Sequence, residues 1–292
     1  MIHRAIYHND QLLSIEDVRL SPGQAGLLNG WGLFTTVRIV EGVPFAFERH
    51  CKRLARDAVR THCPFPFTEE LLREKLGQVL DANHVREGCA RIYAVYNQVG
   101  FWRSDEDFPQ VDLIIYSADL PAYRETARLA LREHGRHAAS PLAGVKTTSW
   151  LVNVWNLHEV QQQGFDEVVL LNERGEVAEC TAANIFCVRD GCVSTPPLDS
   201  GCLEGITRSI LLKIGEQAGV PVGERKLLRG DLYAADELFI SSTNRNLLPV
   251  SEINGRKIAA VDGPVTKKLE NAFEACVREY VSLRPASSGA RA

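Results

Sequence analysis

Twenty residues from Ala138 to Leu157, "AASPLAGVKTTSWLVNVWNL", carry one formal charge, Lys146, in a chain that is 24% charged. A lysine set among small and apolar neighbours loses hydration, and desolvation moves its amine toward the neutral, nucleophilic form. Such an amine suits Schiff-base chemistry with a carbonyl. The same residue also fits a surface lysine whose stem covers apolar neighbours. The stretch alone leaves both readings open.

Four further features add to it. In "AECTAANIF" (178–186), Glu179 stands among small residues just before a strand. In "LEGITR" (203–208), Gly205, Ile206 and Thr207 open a helix whose backbone N–H groups and threonine hydroxyl suit a phosphate. "FISSTNRN" (239–246) ends a strand in Ser242, Thr243 and Asn244, small donors suited to an anion. Arg53 lies on the helix "HCKRL". Singly, these are also a solvated glutamate, a plain helix start, a turn and a surface arginine. Jointly they are the parts that hold pyridoxal 5'-phosphate (PLP). The lysine forms the imine, the carboxylate keeps the pyridine nitrogen protonated, and the helix start and arginine bind the phosphate.

The elements that must position these groups follow from periodicity and turn chemistry. "IYHNDQLL" reads as two strands around Asn9-Asp10, and "TTVRIVEGVPFAF" (35–47) as a hairpin with Glu41-Gly42 at its tip. Helical spacing follows over 49–62. A second helix starts near Thr68, an N-cap with Glu69 and Glu70 in the first turn, and runs to about Asn83. "RIYAVY" (91–96) and "VDLIIYS" (111–117) read as strands covered by those helices. Pro121 marks a break in "SADLPAY". Beyond it "ARLALRE", "EVVLL", "NIFCV" and "CVST" are strands, with helices after Gly205 and near Pro264. The expectation is a small α/β domain over 1–118, a linker over 119–125 and a larger strand-rich domain over 126–292.

Composition narrows the function. A net charge of −4 with no basic block argues against nucleic acid or an anionic membrane as partner, and no stretch reads as a signal peptide or a membrane span. The eight cysteines contain no C-x-x-C pair. Cys180, Cys187 and Cys202 sit in apolar or small-residue settings, so the chain reads as cytoplasmic, with no disulfide framework and no metal site.

From about residue 3 to 280 the chain resembles the class IV aminotransferases, the fold-type IV PLP enzymes. The family includes branched-chain and D-amino-acid aminotransferases and aminodeoxychorismate lyase. "GLFTTVRI", "HCKRL", "GVKTTSWLVN", "FDEVVLLNERGEVAECTAANIF", "TPP", "LEGITR" and "ELFISSTN" occur in the family's order. The resemblance implies an α+β fold, with a small N-terminal α/β domain, a larger C-terminal pseudo-barrel and the cofactor in the cleft between them. It further implies a homodimer acting on an amino-acid-like small molecule. By similarity Lys146 is the Schiff-base residue and Glu179 the partner of the pyridine nitrogen. Arg53, Ile206, Thr207, Ser242 and Thr243 meet the phosphate, and Leu203 packs on the ring.

Side chains around the substrate decide the reaction. Branched-chain enzymes typically have Glu-Gly-Ile-Arg where this chain has Thr35-Thr36-Val37-Arg38, whereas the lyase typically has Thr-Thr, its second threonine placed to move a proton. Leu151 stands where branched-chain enzymes usually have a tyrosine. These features favour 4-amino-4-deoxychorismate lyase, with Thr36 catalytic beside Lys146. Two departures weigh the other way. The loop "NQVGFWRSDEDFP" (97–109) has neither the Arg-Gly-rich pattern of lyases nor the Arg-x-His of D-amino-acid enzymes. Thr35, Arg38, Arg91, Arg103 and Asn244 are the candidate substrate contacts. The alternatives are an amino-acid transaminase using a keto acid and, more remotely, a catalytically silent binding module.

Overall fold

The structure is a computed structural model that describes residues 1–97 and 109–284. It divides into two compact units. Among the described residues, the first comprises those of Met1–Pro121, Val145–Trp150 and the end of the chain from Arg278 to residue 284. The second comprises Ala122–Gly144 and Leu151–Val277. The sequence placed everything from residue 126 onward in the second domain. Val145–Trp150, which includes Lys146, belongs instead with the first, because it pairs with a strand there. Leu33 and Thr147 form a β-bridge.

The first unit holds β1 (Ile2–His8), β2 (Gln11–Ser14), α1 (Ala25–Asn29), β3 (Gly32–Val40), β4 (Val43–Pro44), α2 (Phe47–Arg60), α3 (Glu69–Ala82), β5 (Gly88–Tyr96) and β6 (Val111–Ala118). Its six strands form one sheet in the order β2-β1-β6-β5-β3-β4, antiparallel throughout. Glu41 and Gly42 both take positive φ at the β3–β4 tip, as a two-residue hairpin turn requires. The second arm is short, because Ala46 turns the chain into α2. Thr68 caps α3 by accepting from Leu71 N–H. Alternation gives the sheet two unlike faces. Leu33, Val37 and Ile39 of β3 join Ala90, Ile92, Leu113, Ile115 and the apolar residues of α2 and α3 in one core. The other face carries Phe34, Thr36 and Arg38 of β3, Arg91 and Tyr93 of β5, and Tyr116 of β6.

The second unit holds β7 (Ala127–Arg132), α4 (Leu151–Gln161), β8 (Glu167–Leu171), β9 (Val177–Cys180), β10 (Asn184–Arg189), β11 (Cys192–Thr195), α5 (Ile206–Gln217), β12 (Val222–Glu224), α6 (Arg229–Tyr233), β13 (Glu237–Ser242), β14 (Asn246–Ile253), β15 (Arg256–Lys257) and, as far as Val277, α7 (Pro264–Ser282). The strand order is β12-β11-β10-β13-β14-β7-β8-β9, with β15 on β14. β9 ends the order, yet its last residue, Cys180, donates its N–H to Ala183 O just before β10. A three-residue link between strands so far apart in the order requires the sheet to curl round on itself. Cys180, Cys187 and Ile185 help fill the core inside that curl. Burial pushes the Cys187 thiol up to about 11 and the Cys202 thiol to about 12, so both behave as unreactive core groups. Among the described residues no helix is long and apolar enough to cross a membrane.

Glu237, at the start of β13, ties that strand to α7. Its buried carboxylate accepts from Thr266 N–H at 2.8 Å, Thr266 Oγ1 at 2.7 Å and Val265 N–H at 3.1 Å, satisfying the open donors of the helix start. Replacing Glu237 by alanine strands those donors and should lower stability by about 2–3 kcal/mol. A urea unfolding midpoint equal to that of the parent protein would contradict this.

Candidate active site

In the first unit the backbone of Lys146 is held on both sides. Its N–H donates to the buried Asp57 carboxylate at 3.2 Å, and its carbonyl accepts from Phe34 N–H at 3.1 Å. Two residues on, Thr148 N–H donates to Gly32 O at 2.9 Å. The segment is thereby laid along the start of β3. Val145 packs against the helix-covered core, and alternation turns Lys146 the other way. Its Nζ stands 4.4 Å from the centre of the Phe34 ring and 5.8 Å from that of Trp150. A lysine on two aromatic rings has its ammonium placed by cation–π attraction and its stem dehydrated.

Phe34 opens a row of aromatic groups across the sheet. Its ring stacks on Tyr93 at 5.3 Å, and Tyr93 stacks on Tyr116 at 5.9 Å. Arg91, opposite Thr36 in register, donates to Tyr93 Oη at 3.0 Å, and its guanidinium lies 5.7 Å from the Phe34 ring centre. Burial works against the Arg91 charge, but the Tyr93 and Tyr116 hydroxyls outweigh it and raise its pKa. Arg38 lies next on the same face. Its Nε is buried without a hydrogen-bond partner, and burial lowers its pKa. One strand face thus places the lysine, the Thr36 hydroxyl, two arginines and an aromatic floor together.

Thr35, expected among the substrate contacts, lies on the opposite face. It is fully buried, with Oγ1 at 2.7 Å from His50 Nδ1 and accepting from Arg53 Nη2 at 3.0 Å. One step along a strand reverses the side chain, so Thr35 lies on the helix-covered side and braces Arg53. Arg53 itself is buried on α2, one turn before Asp57.

In the second unit Glu179 has both carboxylate oxygens engaged. Oε1 accepts from Arg136 Nε at 3.0 Å and Oε2 from Leu203 N–H at 3.1 Å. Leu203 O accepts from Asn184 Nδ2 at 2.9 Å. No side chain caps the start of α5, whose N-cap is Gly205. A Cβ on Gly205 would lie 2.1 Å from Asn184 Oδ1, so any larger residue there would displace the Asn184 side chain. At the β13–β14 turn, Ser242 Oγ accepts from Arg245 N–H, while Ser241 Oγ and Asn244 Oδ1 are buried with no partner. An uncapped helix start and the unpartnered Ser241 hydroxyl, both donors, suit an anionic group with several acceptors.

The first unit therefore brings together Lys146, Thr36, Arg38 and Arg91 on one face and Arg53 on the other. The second unit carries Glu179, Leu203, Ile206, Thr207, Ser242, Thr243 and Asn244. Arg103 lies outside the described residues. Sequence reasoning missed Arg136, Asn184, Ser241, His50 and Asp57, because none sits in a local pattern that marks it. Leu151, singled out for its distance from Lys146, opens α4 and is exposed.

A family model for class IV amino-transferases matches residues 32–253. The chain belongs to the class IV aminotransferases. It is 30% identical over 275 residues to a putative branched-chain-amino-acid aminotransferase of Methanocaldococcus jannaschii, spanning 92% of this chain and 95% of the relative. It is 26% identical over 283 residues to an aminodeoxychorismate lyase of Bacillus subtilis, spanning 94% and 96%. Among solved structures, the T.th. branched-chain aminotransferase with pyridoxamine 5'-phosphate matches with a TM-score of 0.86 at 28% identity, covering 96% of this chain and 97% of that one. The fold is that of the fold-type IV enzymes, and the protein is a PLP-dependent enzyme of this family. Within the second unit, Glu179 offers a carboxylate and the start of α5 offers open N–H groups, the kinds of group that a pyridine nitrogen and a phosphate bind.

The buried imidazole beside Arg53 makes a pH prediction. Burial, then the Arg53 charge, then the Lys146 charge hold the His50 pKa well below its ordinary 6.5. Below pH 6.5 the unfolded chain takes up a proton that folded His50 refuses, so this contribution is complete above that pH and lost as pH falls. The slope is at most about 1.4 kcal/mol per pH unit. His50→Asn should flatten the acid loss of stability between about pH 6.5 and 5, read as urea midpoints. An unchanged slope would show that His50 does not carry it.

Proposed function

We propose that this enzyme is a 4-amino-4-deoxychorismate lyase, releasing pyruvate and p-aminobenzoate. The observation that supports it is the face of the first-unit sheet. An aromatic floor of Phe34, Tyr93 and Tyr116, with Arg91 and Arg38 beside it, suits an unsaturated ring with one carboxylate on the ring and a second on its enolpyruvyl side chain.

Lys146 and Glu179 would hold PLP at its aldehyde and ring nitrogen, with Arg53, Ile206, Thr207, Ser242 and Thr243 at the phosphate. When bound, the cofactor supplies an electron sink for the carbon that carries the substrate amine. Lys146 Nζ removes the proton from that carbon. The adjacent ring carbon–oxygen bond breaks, the ring becomes aromatic, and the departing enolpyruvyl oxygen becomes the ketone of pyruvate. Thr36 Oγ1 helps deliver a proton to the enolpyruvyl methylene carbon. One proton is lost and one gained, so no second substrate is required.

Transamination of an amino acid with a keto acid is the second reading. Identity to the Methanocaldococcus jannaschii relative, named as a branched-chain aminotransferase, favours it. That reaction needs Lys146 to move a proton between substrate and cofactor carbons but asks less of position 36. Thr36→Val keeps the shape and removes the hydroxyl. It should lower p-aminobenzoate formation from aminodeoxychorismate, assayed without keto acid, by at least about tenfold, and change any transamination much less. Equal losses would assign Thr36 to packing, and no p-aminobenzoate from the unmutated enzyme would remove the lyase reading.

We also propose a homodimer. α4 turns Leu151, Val152, Val154 and Trp155 outward and Asn153 and Asn156 inward, the reverse of a solvated helix. Trp155→Glu should shift the sedimentation of the purified protein toward the 32.4 kDa monomer. Unchanged sedimentation would place any interface elsewhere.

A further inference from the structure

Glu179 is the proposed partner of the cofactor's ring nitrogen, and the second unit surrounds it with a chain of contacts. Arg136 Nε donates to Glu179 Oε1 at 3.0 Å, and Arg136 Nη1 donates to Asn153 Oδ1 at 2.8 Å. Asn153, buried on α4, donates its Nδ2 to Thr181 O at 2.7 Å, two residues beyond Glu179. The loop that carries Arg136 is itself held. Arg136 N–H donates to Leu171 O at 3.1 Å, and a Cβ on Gly135 would meet Leu170 Cδ2 at 2.7 Å. Leu170 is the β8 residue in register with Glu179. Strand, loop and helix therefore converge on one carboxylate.

We propose that Arg136 is a positioning residue that fixes the orientation of the Glu179 carboxylate toward the ring nitrogen, with Asn153 holding Arg136 from behind. A carboxylate has about four lone-pair sites. Arg136 takes one on Oε1 and Leu203 N–H takes one on Oε2. The group is pinned at both oxygens, and a second lone pair on each stays open to the ring N–H. Arginine suits the task because its planar fork reaches two partners with separate nitrogens. A lysine, a single point charge, reaches only one of them in a fixed direction. Without Arg136 the carboxylate keeps one anchor and is free to turn, so the ring nitrogen loses a steady partner for its proton. The inference rests on Glu179 being that partner.

The test uses holoenzyme loaded with PLP labelled with nitrogen-15 in the pyridine ring, in the parent protein and in Arg136→Gln, Arg136→Lys, Asn153→Ala and Glu179→Gln. The readout is the ring-nitrogen signal followed from pH 6 to 9. In the parent it should stay at the protonated position throughout. Glu179→Gln should move it to the unprotonated position. Arg136→Gln and Asn153→Ala should give a signal that titrates inside that range. Arg136→Lys should fall between Arg136→Gln and the parent. In turnover, kcat should drop about tenfold in Arg136→Gln with KM little changed, because the contact matters to the reacting state more than to substrate capture. A parent-like signal at every pH in Arg136→Gln, with Glu179→Gln displaced, would overturn the positioning role and leave the Glu179 assignment standing. A parent-like signal in Glu179→Gln would overturn the assignment and this inference with it.

Discussion

The first unit depends on how the backbone of Lys146 is tied to β3. A lysine that must present its amine in a fixed direction cannot rely on its own stem, which has four rotatable bonds and a large rotamer entropy to lose. Here Asp57 and Phe34 take the two backbone hydrogen-bonding groups of the residue, and the Phe34 and Trp150 rings receive the ammonium. The cost of burying the Asp57 carboxylate is offset by the Lys146 N–H that it accepts and by the Arg56 guanidinium at 2.9 Å. Because Phe34, Thr36 and Arg38 share a strand face, fixing the lysine against Phe34 also sets its register relative to the groups that would meet substrate.

The same strand shows how one sheet serves two purposes. Its inward residues are Leu33, Val37 and Ile39, with Thr35 as the polar exception. A buried hydroxyl costs stability unless it is hydrogen-bonded. Thr35 meets that condition by lying between His50 and Arg53. Arg53 is in turn buried with its guanidinium braced by Thr35, which limits its motion.

The second unit treats its acid in a parallel way. Glu179 is held by a guanidinium and by a backbone N–H, groups that come from different parts of the fold. Asn184 links this arrangement to the start of α5 through Leu203 O, and its close approach to Gly205 explains a glycine at that helix start. The carboxylate and the uncapped helix are therefore parts of one connected polar structure, in which displacing Asn184 would disturb both.

Much of this was legible in the sequence where a property depends on near neighbours in the chain. The Glu41-Gly42 turn, the Thr68 cap, the strands β5 to β8, β10 and β11 and the start of α5 after Gly205 follow from local backbone preference and periodicity, whereas β9, which carries Glu179, was not read as a strand. Lys146 and Glu179 stood out because each is a lone charge among small or apolar residues, and the order of motifs identified the family. What the tertiary structure decided concerns groups far apart in the chain. Arg136 and Glu179 are 43 residues apart, and Asp57 and Lys146 are 89 apart. Neither pair has a local pattern to announce it. The helix α4 escaped notice because its asparagines face inward and its apolar residues outward, so its periodicity opposes the usual signal. The grouping of Val145–Trp150 with the first unit, and the turning of Thr35 away from Thr36, were likewise set by strand pairing. Local sequence specifies which hydrogen-bonding groups a segment offers, while the partners that take them are chosen only when distant segments pack.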